Sequence, residues 1–596
     1  MRRAALFLAG LMLALTPTVA HAHEERASQF PPGNGHTPTY RTAAQAADVL
    51  VVCKPDTASL VARIADPALR ARNEQLLKRC GFAHLQAAVD AVRVRRTNIY
   101  VLPGHYREEP SLSAPCTKSY AGGIVTYEQV VSCGEIVDLV TIAGDSVTDP
   151  DIVCDNQLCD LQIEGTGAAP TDVLFTAGFR ADGDWAKHNV LKADRADGIY
   201  LKNMGFELAK ENAVYVHETD GYVIDNVVAR NNDLYGILTF TSDHGLIKNC
   251  ETHHNGDSGI YPGSAADVNA ASTQPPPLTR WSVEITGCNT HHNALGFSGT
   301  AGNSVYFHDN RVHDNGAGYV TDSFVGGHPG MPQDHAWLED NDIYSNNTNY
   351  YGNVQGSSPP CSRRPAAVGY EKGMVCPSFQ VPVGTGILIA GGNYNLIRNN
   401  RIYDNWRNGA MLFWVPGAIR GDMTASGQLD TSNHNRYIGN RLGFHPAGVT
   451  QPNGTDFWWD DQGLGNCWEG NVAATGQVTT NAVVPVLPTC AVGSILPAGS
   501  GAKSATLLPC SMYNRNSEPD PPGCDWLDSP APPRGRQAAP GEPIVAAAAV
   551  TAPTQSTGGD ALPATGGTPP VLLAGVVLVA GLLVYRRVRR PVDPSR

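Results

Sequence analysis

Between about Asp197 and Trp468 apolar and polar residues alternate with period two, in short runs bounded by asparagine and glycine. That alternation predicts strands with one face on a core, not helices. The runs also repeat. The phrase Lys248-Asn-Cys-Glu-Thr-His-His-Asn255 returns as Thr286-Gly-Cys-Asn-Thr-His-His-Asn293, and looser copies close at Asn231, Asn315, Asn346 and Asn405. A unit of this length that recurs along a chain predicts a solenoid, in which each coil buries its apolar face against its neighbours.

Aligned on the closing asparagine, two columns are expected to point inward. The third residue before it reads Val228, Thr252, Thr290, Val312, Ile343, Ile402. The fifth reads Asn226, Cys250, Cys288, Asn310, Asn341, Asn400, where stacked amides can hydrogen-bond from coil to coil. A glycine then opens a short strand at Gly236, Gly259, Gly318 and Gly409, placed there to supply a positive φ at the bend. Over roughly residues 82–475 the pattern resembles the right-handed parallel β-helix repeat family of pectate-lyase-like secreted proteins. The resemblance implies an all-β solenoid with an N-terminal capping helix, for which Phe82–Val94 has helical spacing at Leu85, Ala88, Val89 and Val92. It also implies that any site lies on a lateral face.

The flanks divide the chain further. Residues 1–22 read as a signal peptide, with Arg2 and Arg3, an apolar run and Ala20-His21-Ala22. Residues 23–81 form an N-terminal extension with a disulfide. The β-helix, 82–475, is interrupted by insertions near 262–280, 353–383 and 416–432, and 476–500 closes it. Residues 501–561, rich in Pro, Ala and Gly, are expected to form a disordered stalk. The last segment, 562–596, carries Leu562-Pro563-Ala564-Thr565-Gly566, an apolar run at 571–585 and Arg586-Arg587-Val588-Arg589-Arg590. This resembles the sorting signal of Gram-positive wall-anchored proteins, which implies sortase cleavage after Thr565 and linkage to peptidoglycan. The alternative is a membrane anchor formed by residues 571–585; fifteen apolar residues are short for one.

Fourteen cysteines in an exported chain read as disulfides, and they fall in neighbouring pairs such as Cys53/Cys80 and Cys361/Cys376. Cys250 and Cys288 share an inward column on successive coils, within bonding reach, so a Cys250–Cys288 disulfide is expected. The formal net charge of −13 argues against a nucleic-acid partner.

Three groups of residues carry candidate chemistry. Lys202, His217, Asp257 and Tyr261 could supply the cation and base that a uronate lyase or epimerase needs, although the Asp-Pro-His signature of the alginate epimerases is absent. Trp458, Trp459, Asp460 and Trp468 could stack on sugar rings or plug the end of the rod. His253, His291 and His313 form an outward ladder that continues into Tyr344 and Tyr403, suited to a metal or to simple lateral packing. Asp220, Asp243, Asn303, Asp334 and Asn393 read as turn formers, with calcium at one of them as the alternative. Together these features predict a wall-anchored extracellular rod that interacts with a polysaccharide, as a lyase, epimerase or glycosidase or else as a non-catalytic adhesin. A metal-handling protein is the third reading.

Overall fold

The computed structural model describes residues 28–107, 138–145, 152–324, 326–356, 358–482, 486–495, 500–512 and 521–541. The chain is a parallel β-helix. Each full coil contributes two short arms to a 21-stranded sheet and one strand to a ten-stranded sheet, and strands pair in parallel with their counterparts in the coils on either side. Val283–Thr286, for example, lies between Asp243–Lys248 and Val305–His308. One continuous apolar core fills the rod. Ile237, Ile260, Phe297, Tyr319 and Ile387 enter it from the ten-stranded sheet, and Ile247, Ile285, Phe307, Leu338 and Ile397 from the other. Each such side chain contributes about 1.5–3 kcal/mol on leaving water.

The two longest asparagine ladders run along the core at the bends. One links Asn232, Asn255, Asn293, Asn315, Asn346, Asn405 and Asn453 through amide-to-amide bonds of 2.8–3.2 Å. The other links Asn310, Asn341, Asn400, Asn440 and Asn471. The first repeat phrase therefore closes at Asn232, one residue later than its sequence suggests, because Arg230 pairs with His253. Its inward residues become Ala229 and Val227, both fully buried, in place of Val228 and Asn226.

The glycines after each phrase do not need a positive φ. A Cβ at Gly318 would stand 2.3 Å from the Gly386 carbonyl oxygen and 2.9 Å from the Asn346 amide nitrogen. Gly236 and Gly409 face the next coil in the same way. Glycine is required by close packing against the ladder.

Cys250 and Cys288 are free thiols in this fold, not the expected disulfide. The Cys288 sulfur accepts the Cys250 N–H at 3.4 Å, taking the place of an asparagine oxygen at the head of the second ladder. The Cys250 and Cys288 thiols each lie near carbonyl oxygens, at 3.3 Å from Lys248 and 3.6 Å from Thr286 respectively. Disulfides do join Cys53–Cys80, Cys154–Cys159, Cys361–Cys376, Cys467–Cys490 and Cys510–Cys524; Cys116 and Cys133 lie outside the described residues.

The rod begins earlier than residue 82, since Asp48–Val52 pairs with Thr97–Val101 as a first rung. The capping helix is Leu85–Asp90, with Leu85, Ala88 and Val89 in the core. Ahead of it, residues 28–41 lie along the side of the coils, from Ser28 at His217 to Arg41 at Gln162. The described part of the expected stalk is ordered. Helix Gly501–Met512 and residues 521–541 pack Leu507, Trp526 and Leu527 onto Leu388, Met411 and Phe413 of the ten-stranded sheet. The apolar residues of that segment explain why composition alone misplaced it. The signal peptide and the Leu562–Gly566 motif lie outside the described residues. Among the described residues no helix is long and apolar enough to cross a membrane.

Candidate functional site

The predicted quartet does not assemble. His217 and Tyr261 stand on the outer face of the ten-stranded sheet, in columns carried by Asn212–His217 and Ser258–Gly263. Asp257 lies at the start of that coil's strand and accepts a hydrogen bond from the Ser378 hydroxyl of the second insertion. Its carboxyl is pushed up to about 6, mainly by burial. Lys202 belongs to the other sheet, where its ammonium lies over Tyr40 and 3.7 Å from Asp225.

A different lysine takes its place. Lys192 pairs in register with Tyr215, and Asp194 with His217, on adjacent coils. The Lys192 ammonium is 3.5 Å from Asp194, whose carboxylate is 3.6 Å from the His217 imidazole. Beside them Arg195 joins Glu218 at 2.9 Å and Asp145. Cation, imidazole, phenol and carboxylate thus converge, a set able to neutralise a uronate and move a proton next to it. Yet Lys192, Asp194 and His217 are each 0% exposed, and Ser28 bonds His217 at 2.9 Å. In this conformation no polymer reaches the cluster. Sequence reading missed Lys192 and Asp194, although Val190-Leu191-Lys192-Ala193-Asp194 shows the alternation that places both outward.

An open groove of about 540 Å³ lies on the opposite sheet, lined by Asn341, Asn399, Arg401, Arg441, Phe444 and His445 among others. It grows from one column of the repeat, where Arg311, Asp342, Arg401 and Arg441 stand in register. Asp342 pairs bidentately with Arg401, at 2.6 Å for one of the two contacts. The Arg441 guanidinium has no carboxylate partner among the described residues and rests 4.4 Å from the centroid of the Phe444 ring. His445 meets Tyr403 edge-on at 5.4 Å. Burial, with Glu339 and Asp309 nearby, raises the Asp340 carboxyl at the groove edge. The sequence signal for this site was Gly439-Asn440-Arg441-Leu442, one more copy of the repeat phrase.

The remaining candidates have structural employment. Trp459 and Trp468 sit in the core, 5.1 Å apart, and close the end of the rod. Asp460 is fully buried and accepts the Trp414 and Gln462 backbone N–H groups, so neither the tryptophan pair nor this carboxylate can meet a sugar. Trp458 is half-buried, with the Lys503 ammonium 5.7 Å from its ring centroid. His253, His291, His313, Tyr344 and Tyr403 stack face to face at 4.8–5.2 Å. Parallel rings aim their in-plane lone pairs in parallel, so His253, His291 and His313 do not converge on one ion. Asp220, Asp243 and His244 do come together, but Arg280 donates to Asp243 at 2.5 Å and Gly35 N–H to Asp220 at 2.8 Å. A guanidinium already supplies the positive charge that calcium would bring.

Residues 212–419 match the family described as a right handed beta helix region. No curated protein sequence matches the chain. Among solved structures it is similar to pectate lyase Pel9A, at 13% identity over 80% of this chain and 88% of that one, with a TM-score of 0.34. It is similar to PfbA, a surface adhesin of Streptococcus pneumoniae, at 10% identity over 64% and 78%, with a TM-score of 0.35. A third is the mannuronan C-5 epimerase AlgE6 A-module of Azotobacter vinelandii, at 12% identity over 66% and 95%, with a TM-score of 0.31. Likeness this distant does not say what the chain binds; that rests on the groove and the cluster.

Proposed function

We propose that the protein is an extracellular rod that binds an acidic polysaccharide in the groove formed by Arg401, Arg441, Phe444 and His445. The observation that carries this reading is an open cleft lined by Arg401 and Arg441, of which Arg441 has no carboxylate partner among the described residues, beside an aromatic wall. A guanidinium receives a carboxylate in two parallel hydrogen bonds, and an aromatic ring receives the C–H face of a sugar. On this reading residues 1–22 export the chain and sortase joins Thr565 to peptidoglycan, which displays the groove at the cell surface.

The test is retention of acidic and neutral polysaccharides by the full chain and by Arg441→Ala. Retention of acidic glycans that is lost in the variant, with neutral glycans unaffected, supports the reading; equal retention of acidic glycans by both proteins overturns it. A second reading, a lyase or epimerase, is favoured by the convergence of Lys192, Tyr215 and His217. Its signature is unsaturated uronate or a changed epimer ratio that disappears in Lys192→Met.

A further inference from the structure

The outward ladder holds a second arrangement, independent of the glycan reading. At His313 the ring Nδ1 is hydrogen-bonded to the next residue's carboxylate, Asp314, at 2.7 Å. Asp404 and Ser345 take the same place after Tyr403 and Tyr344. On two successive coils an imidazole stands there instead. His253 and His254 bring their Nδ1 atoms to 2.7 Å, and His291 and His292 to 2.8 Å, with each pair's rings nearly perpendicular. The pairs stack on one another, His253 over His291 at 5.1 Å and His254 over His292 at 5.2 Å. Two neutral imidazoles so placed share one proton between two lone pairs.

We propose that each of these pairs chelates a borderline transition ion of the copper(II) or nickel(II) type through both Nδ1 atoms, the ring that carried the shared proton passing to its Nε2–H tautomer so that both imidazoles stay neutral. Two nitrogens 2.7–2.8 Å apart, each bound at about 2.0–2.1 Å, subtend roughly 85° at the ion. That is the angle of adjacent positions in a tetragonal ion; tetrahedral zinc would hold the same nitrogens about 3.3 Å apart. The backbone fixes the arrangement, because His254 and His292 both occupy left-handed positions of a repeated turn, at φ 57° and 56°. All four rings are half-buried, so an ion has access. Gly373 of the second insertion lies against His254, where a Cβ would approach the ring to 2.7 Å. The Glu251 carboxylate, 3.1 Å from His291 Nε2, adds negative charge beside the second pair.

The experiment titrates the full chain with copper(II), nickel(II) and zinc(II), reading bound ion by calorimetry and copper coordination by electron paramagnetic resonance. The comparison variant is His254→Asp with His292→Asp, which recreates the His–Asp turn already present at His313–Asp314 and so keeps a conformation this fold accepts. Circular dichroism checks that it folds. Copper and nickel are expected to bind more tightly than zinc, with nitrogen hyperfine structure from two imidazoles. Affinity should fall at least tenfold in the double variant and stay unchanged in His313→Phe. The proposal is overturned if the double variant binds copper as the parent does, or if the folded parent retains none.

Discussion

Arg441 and Phe444 form a stacked cation and ring, 4.4 Å from guanidinium to centroid, at the wall of the open groove. The stack orients the guanidinium without neutralising it, so its charge is left for a ligand. Arg441→Ala is expected to weaken acidic-glycan binding about tenfold, the scale of one charge-assisted contact. Arg441→Lys should recover only part of that, because an ammonium cannot offer the planar fork. Neutral glycans should bind equally to all three proteins. Binding isotherms at low and high salt give the comparison, and an Arg441→Ala loss that is the same for neutral polymers would point to a damaged fold instead.

The asparagine ladder makes a sharper stability prediction. Asn315 accepts the Asn293 backbone N–H and side-chain amide through one oxygen, and donates to Thr290, His313 and Asn346 through its nitrogen. It is completely buried. Asn315→Ala strands several of these partners without water, and each stranded group costs about 1–3 kcal/mol. Chemical denaturation should show a loss of about 2–4 kcal/mol for the first cooperative transition. A change below 0.5 kcal/mol, roughly what an ordinary surface substitution gives, would mean that water or local shifts replace the ladder.

The thiols of Cys250 and Cys288 give a covalent check. Alkylation in denaturant without reductant, followed by peptide mapping, should label both, while the ten cysteines of the five observed disulfides stay unlabelled. The same reagent applied to the native protein should label neither, since both thiols are buried and burial raises the Cys250 thiol far above its usual range. A linked Cys250–Cys288 peptide would restore the bond that the shared column first suggested.

The periodicity of the chain was enough to place most of the core, and the reasons it failed elsewhere are physical. Ile343 and Ile402 fell where the alternation put them, since a period-two pattern leaves one face for the interior. Asn231 was mistaken for Asn232 because two adjacent asparagines fit the phrase equally, and only pairing with the next coil distinguishes them. Lys202 was grouped with His217 because both were read on the face of the strands that follow a glycine, yet they lie on different sheets. Which sheet a strand joins depends on bends that alternation does not encode. The order of residues 500–512 and 521–541 was hidden for another reason. A few apolar anchors, Leu507, Trp526 and Leu527, hold a segment whose average composition reads as a spacer.

Asp257 yields a prediction whose sign is fixed by its surroundings. Burial raises its carboxyl to about 6, helped by Asp322, while hydrogen bonds from Ser378 and Tyr235 oppose the shift. In the unfolded chain the same group titrates near 3.9, so between about pH 4 and 6 the folded state holds a proton that the unfolded state has released. Its contribution to stability is therefore fully present below about pH 4 and is lost as pH rises through 6. The shift corresponds to roughly 3 kcal/mol. In Asp257→Asn that pH dependence should vanish, and the variant should gain on the parent by about this amount between pH 4 and 7. Denaturant midpoints for both proteins across that interval measure the difference directly. A constant gap would place the Asp257 carboxylate in an environment that tolerates its charge and would mean that folding does not raise its affinity for a proton.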